Sequence, residues 1–402
     1  MKPFLDRLRV IVAKEETTPG VSADPLDKGD TFANPINADV RISEGNVDID
    51  VELDDENSSF LSGGVGGKSA PIPGAYVSSG SLSIKMSPGE FREDLPSNPG
   101  TFTHKMPYDK YLRSCSLNEA VVWDKVGSPV IDDYPYAASR VYYPSLESSD
   151  NTITITELYK NVSGEGIADE AVGCMSTLEI TAGGTGQPYM MNYTPGGSGE
   201  TFKVPQVAAD KVIFDAQNGL SLPSDKFQFT SISIKRLIDD VVVSDFCSNA
   251  ITFAGGQETE DIRCQSGSGI AHNVNVDFEP RLTINPLLKT LTAFDYWKSV
   301  TEAEEFEITV ISKYLTATGV QVNQLFIPKA TLLPTTVAAD GKKIRNELVF
   351  RPIQNSEKAY PVVAYFDTAD GITPIIWDGS DLTDDQKLNA LFYFIATEIE
   401  KE

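Results

Sequence analysis

The chain has 402 residues, 41% of them hydrophobic, enough for two packed domains and too many for global disorder. Lys and Arg total 33 against 58 Asp and Glu, a formal net charge of -25. So acidic a chain does not wrap nucleic acid, because phosphate binding needs cations, but it can stand beside DNA and repel it.

The N-terminus, MKPFLDRLRVIVAKEE, carries Asp6, Arg7 and Arg9 inside its apolar run, so no signal peptide is expected. No stretch reaches the length of a membrane span, and folding in a cytoplasm is the expectation. Period-two alternation then dominates the chain. In NVDIDVELDD, Val47, Ile49, Val51 and Leu53 point one way, and Asp48, Asp50, Glu52 and Asp54 the other. SLSIKM sets Leu82, Ile84 and Met86 opposite Ser81, Ser83 and Lys85. A Gly/Ser/Pro-rich stretch (55–76) lies between these strands and reads as a flexible excursion.

PYDKYLRSC (107–115) predicts a short helix opening at Pro107. NTITITELY, MSTLEITAGG and FEITVIS repeat the strand pattern. In NPLLKTLTAFDYWKSV, Asn285 suits an N-cap and Pro286 the first helical position. Leu287, Leu288, Leu291 and Phe294 then fall on one helical face. TDDQKLNALFYFIATEIEKE predicts a C-terminal helix capped by Thr383, with Leu388, Leu391, Phe392, Ile395 and Ile399 as its stripe. The order of two strands, a helix and three strands occurs twice, before and after about residues 205–222, which suggests a duplication.

Catalytic signals are weak. Only two histidines occur, His104 and His272, against most zinc enzymes and against a Ser-His-Asp triad. Cys115, Cys174, Cys247 and Cys264 show no ligand spacing and read as reduced, buried thiols. GVGGK (64–68) lacks the spacing of a phosphate-binding loop, although Ser69 follows Lys68. Carboxylates are too plentiful for one pair to stand out as a glycoside hydrolase would require. No cofactor and no metal are expected.

Several segments together resemble the tail tube proteins of tailed bacteriophages. Lys14, Glu15, Glu16, Thr17, Thr18 and Gly20 fill the family's opening pattern before its first strand. GAYVSSGSLSIKMSPGE is similar to the second strand of the family's tube hairpin. MPYDKYLRSCSLNEAV resembles the short-helix segment, with Ser116 where a glycine is usual. EAVGCMSTLEITAGG, FEPRLTINPLLKTLTAFDYWKSV and LFIPKATL resemble later strands and the later helix. The segment after about residue 368 has no counterpart.

The resemblance implies a mainly β, tail-tube-type sandwich with long hairpins and flanking short helices. The expected organisation is a first tube-like domain over 1–205, a second over 206–368 and a helical extension over 369–402. Hairpins from neighbouring copies would seal one barrel, and three duplicated chains or six single ones would form a ring that stacks. The expected location is the virion tail, assembled in the host cytoplasm. Expected partners are further copies of itself, the tape measure, the tail terminator and the distal tail or baseplate proteins. DNA would be met only in transit, and no membrane is involved. The residues expected to face the channel are Asp48, Asp50, Glu52 and Asp54, with Asn273, Asn275, Asp277 and Glu279 from the second half. Ser62, Gly63, Gly64, Gly66, Gly67 and Lys68 are expected to make contacts between rings. The competing readings are another virion β-protein, receptor-binding or capsid-decorating, and a carboxylate-based glycoside hydrolase.

Overall fold

Alternating side chains need a sheet with one face covered, and the computed structural model supplies antiparallel strands in packed layers. The structure describes residues 4–29, 32, 42–54, 72–86, 108–126, 136–145, 151–161, 165–182, 189–218, 227–243, 248–263, 270–286, 295–315, 319–335, 337–340, 343–354, 364–367, 374–377 and 390–400.

The first strands are β1 (Phe4–Glu15), β2 (Ile42–Asp54) and β3 (Ile72–Lys85). Helix α1 (Asp109–Arg113) matches the short helix expected there. A hairpin follows, β4 (Leu117–Val126) and β5 (Tyr136–Pro144). Then come β6 (Ile153–Asn161), β7 (Gly166–Met175), β8 (Glu179–Ala182), β9 (Tyr189–Tyr193) and β10 (Gly196–Val204). Four of these form one layer in the order β1-β6-β7-β10. The β2–β3 hairpin packs its Val47 face on this layer, and β9 and β8 extend it sideways.

Helix α2 (Gln206–Asn218) joins the halves. It lies where the sequence suggests only a boundary between domains. Ala208, Ala209, Val212 and Ile213 share one helical face and are buried against Val12, Leu158 and Ala168.

The second half runs β11 (Gln228–Arg236), β12 (Ser248–Ala254), β13 (Gln257–Arg263), β14 (Ile270–Phe278) and β15 (Arg281–Pro286). Helix α3 (Tyr296–Thr301), β16 (Glu305–Leu315) and β17 (Gly319–Leu333) follow. The remaining strands are β18 (Val337–Asp340), β19 (Lys343–Asn346), β20 (Leu348–Pro352), β21 (Ala364–Asp367), β22 (Pro374–Trp377) and β23 (Tyr393–Glu400). Here one layer is β11-β16-β17-β23, and the other is β12-β15-β20 with the end of β17.

Strands of the two halves pair directly. β8 adds to β12, and β23 adds to β5. Beside the smaller cluster under α2, a large hydrophobic core draws on both halves, from Ile11 to Ala396. Edge-on aromatic contacts tie its layers, as in Phe306 on Phe350 and Phe253 on Phe392.

Two helix expectations are corrected. Asn285 and Pro286 do not start a helix: they end strand β15, and the later helix begins only at Tyr296. Its cap is Asp295, whose carboxylate accepts from the Lys298 N–H at 3.1 Å. The Leu287–Phe294 stripe lies outside the described residues. At the C-terminus, residues 393–400 form β23, a strand between β17 and β5. Thr383 and Leu388, which would have opened the expected helix, lie outside the described residues.

Candidate functional site: acidic face and strand edges

The acidic strand behaves as its alternation requires. Val47 is fully buried and Ile49 packs on the core, while Asp48 and Asp50 are exposed. Across the hairpin Asp48 pairs with Ser79, Asn46 with Ser81 and Asp50 with Val77. Asn46 also donates to the Asp48 carboxylate. The hairpin closes tightly because Gly45 and Gly80 adopt φ of +143° and +148°. A Cβ on Gly80 would stand 2.2 Å from the Asn46 carbonyl oxygen. Glu52 and Asp54 continue β2 at the same parity; their side chains lie outside the described set.

The polar face continues sideways. Ser83 Oγ donates to Asn192 Oδ1 at 3.3 Å, and Asn192 Nδ2 donates to Glu179 Oε1 at 3.2 Å. The hydrogen bonds thus cross β3, β9 and β8 in turn and hold a row of uncharged and acidic groups on one surface.

The second-half face needs correction. Asn273 lies in β14 with its side chain outside the described set, and Asp277 and Glu279 are exposed. Asn275, expected beside them, is buried at 3% exposure, and Val276 is the exposed one at 37%. The cause is a bulge: Glu258 faces Asp277 while Thr259 faces Asn275, so Val276 is an extra residue. One extra residue flips everything beyond it to the other face, so Asn275 and Asp277 point apart. Nor is the face purely acidic, because Arg351 and Arg281 reach Glu279 at 3.2 and 3.6 Å. The glycine-rich stretch with Ser62, Gly63, Gly64, Gly66, Gly67 and Lys68 lies outside the described residues.

Asn275 does something else: its Nδ2 donates to Ser116 Oγ at 2.7 Å and ties the second-half hairpin to the first half. Gln257 makes a second buried clasp. Its Oε1 accepts from the Leu178 N–H at 2.8 Å, and its Nε2 donates to the Cys115 carbonyl at 3.0 Å. Tyr108 makes a third, donating to Asn323 Oδ1 at 2.7 Å. No sequence pattern marks these three, because a lone amide or phenol within a strand or loop has no periodicity.

The Lys14–Gly20 segment acquires a physical role. The Glu16 carboxylate accepts from the Gly20 and Gly173 N–H groups, both at 2.8 Å, and from the Thr152 and Thr154 hydroxyls at 2.6 and 2.7 Å. The following residues strap across β6 and β7. Ser22 and Lys28 both reach the buried Glu170, at 2.7 and 2.8 Å. Charge-assisted bonds of this kind fix a segment that has little apolar surface of its own.

The described thiols have no nucleophilic character. Cys115 and Cys174 are fully buried, and burial pushes both thiols well above their ordinary range.

Among the described residues, β1, β2 and β4 each have one ladder partner and an open second edge. The β2 edge belongs to a 13-residue strand. Edges of that length are templates for pairing with another chain, and the aspartates on its exposed face discourage indiscriminate pairing. No helix among the described residues is long and apolar enough to cross a membrane. Comparison with protein-family models and with curated proteins found no match for the chain.

Proposed function

We propose that the chain is a structural subunit of a phage tail tube, built from two tube-type units and assembled head to tail into a ring around a polar, acidic channel. The observation that carries this reading is a repeated set of pairings. The first half pairs β1–β6, β6–β7, β7–β10, β2–β3, β3–β9 and β8–β9. In the same chain order the second half pairs β11–β16, β16–β17, β17–β23, β12–β15, β15–β20 and β17–β20.

Even an irregularity recurs. Between Ile153 and Ile155 the partner strand steps from Cys174 to Ala171, and between Phe306 and Ile308 it steps from Ala330 to Ile327. Chance repetition of alternating strands does not reproduce a bulge at the matching place. The two units meet through β8 and β12, so they follow one another rather than face one another. Heterologous contacts of this kind close into rings or extend into filaments. Three duplicated chains then make a pseudo-sixfold ring. Asp48 and Asp50 face its bore and keep phosphates from sticking. Rings stack within the virion tail, with the tape measure, tail terminator and distal tail proteins as further partners.

Negative-stain microscopy of the concentrated protein tests this: hollow tubes are expected, and discrete particles that never stack would refute it. Asp48→Lys combined with Asp50→Lys is expected to leave rings intact and to slow DNA ejection. Unchanged ejection kinetics would remove these residues from the channel wall.

A further inference from the structure

We infer that the joint between neighbouring copies repeats the joint inside the chain: the outer edge of β2 near residues 44–47 pairs antiparallel with residues 332–335 of the next copy. The inference rests on the duplicated-subunit reading above and names the segments that meet.

The correspondence comes from the ladders. Leu82 lies opposite Gly45 on one side and Tyr193 on the other. Leu282 lies likewise between Phe253 and Phe350. Gly45 therefore matches Phe253, and Tyr193 matches Phe350. One strand further, Asn192 pairs with Glu179 and Val349 with Leu333, so Glu179 matches Leu333. Inside the chain, Ala254 pairs with Glu179 and Thr252 with Thr181. Carried to the open ends, Asn46 pairs with Leu333 of the next copy, and Glu44 with its Thr335.

Both open ends carry side-chain caps in the free chain. At the internal joint the Gly255 N–H donates to the Leu178 carbonyl at 2.6 Å. The matching N–H, on Val47, meets no strand among the described residues and donates to the Glu157 carboxylate at 2.6 Å. At the other end, the Tyr296 hydroxyl contacts the Leu333 carbonyl at 3.4 Å and accepts from the Thr335 N–H. Tyr108 and Tyr296 each stand six residues before the C-cap of their helices, Ser114 and Glu302. Tyr108 crosses between the halves to Asn323, whereas Tyr296 turns back onto its own strand end. A backbone edge held by side chains rather than by a strand is a site left for pairing.

Cysteine pairs test the register. Glu44→Cys with Thr335→Cys, and independently Asn46→Cys with Leu333→Cys, are expected to give a covalent ladder above the monomer on oxidation. Each single variant should stay monomeric on a non-reducing denaturing gel. Rings or tubes that assemble from both double variants without any cross-link would overturn the joint and leave the tube reading standing. A folded double variant, checked by circular dichroism, that neither assembles nor cross-links would overturn both. Two pairs guard against one substitution spoiling the fold.

Discussion

Ser116 holds φ at +54°, a left-handed backbone that costs a non-glycine residue roughly 1–2 kcal/mol. The resemblance marks this position as one where glycine is usual, and the structure supplies the reason for serine. Its hydroxyl is the acceptor for the buried Asn275. Removing a partner from a buried amide costs about 1–3 kcal/mol. Ser116→Ala keeps the backbone cost and loses the acceptor, so it should lower stability by about 2 kcal/mol. Ser116→Gly loses the same bond and relieves the backbone, so the two effects nearly cancel. Urea denaturation of both variants checks the order; a glycine variant weaker than the alanine one would refute it. The sequence singles out Ser116, yet nothing in it pairs Ser116 with Asn275. That contact depends on the bulge at Val276, and bulges leave no mark on an alternating pattern.

At the level of elements, legibility follows how many faces are covered. β2 is readable because only one face packs, so acidic and apolar residues alternate along it. β23 is not readable in this way. Tyr393, Phe394, Ile395 and Ala396 are all buried, so both faces are apolar and the run imitates a helical stripe. Helix α3 is misplaced for a related reason: Asn285 and Pro286 make a plausible cap, but Ile284 belongs to a ladder with Ile251 and Leu348 that outweighs local propensity. The position of β23 has a consequence. It fills the space between β17 and β5, and its loss opens two strand edges at once. Burying each large apolar side chain contributes about 1.5–3 kcal/mol. Phe392 to Ile395 together contribute on the order of 8 kcal/mol, comparable with the whole stability of a typical domain. Deleting residues 391–402 should therefore yield insoluble or unfolded protein. A soluble truncated chain with an unchanged thermal melt would contradict that placement.

For the whole molecule, charge sets a pH dependence whose sign can be worked out. Burial holds the carboxyls of Glu157, Asp169 and Glu307 above their ordinary range. The Val47 N–H opposes that shift at Glu157, as Lys235 does at Glu307. A carboxyl whose folded pKa is raised binds its proton more tightly when folded than when unfolded. Its destabilising effect is complete above the folded pKa and is relieved as pH falls towards the unfolded values, 4.5 for Glu and 3.8 for Asp. The net charge of -25 acts in the same direction, since protonation weakens self-repulsion. The midpoint of thermal unfolding should therefore rise by about 2 °C or more between pH 7.5 and pH 5. Glu157→Gln should flatten part of that slope, because the amide does not titrate. Scanning calorimetry at the two pH values decides it: a midpoint that stays level or falls on acidification would mean that buried carboxyls do not govern the balance.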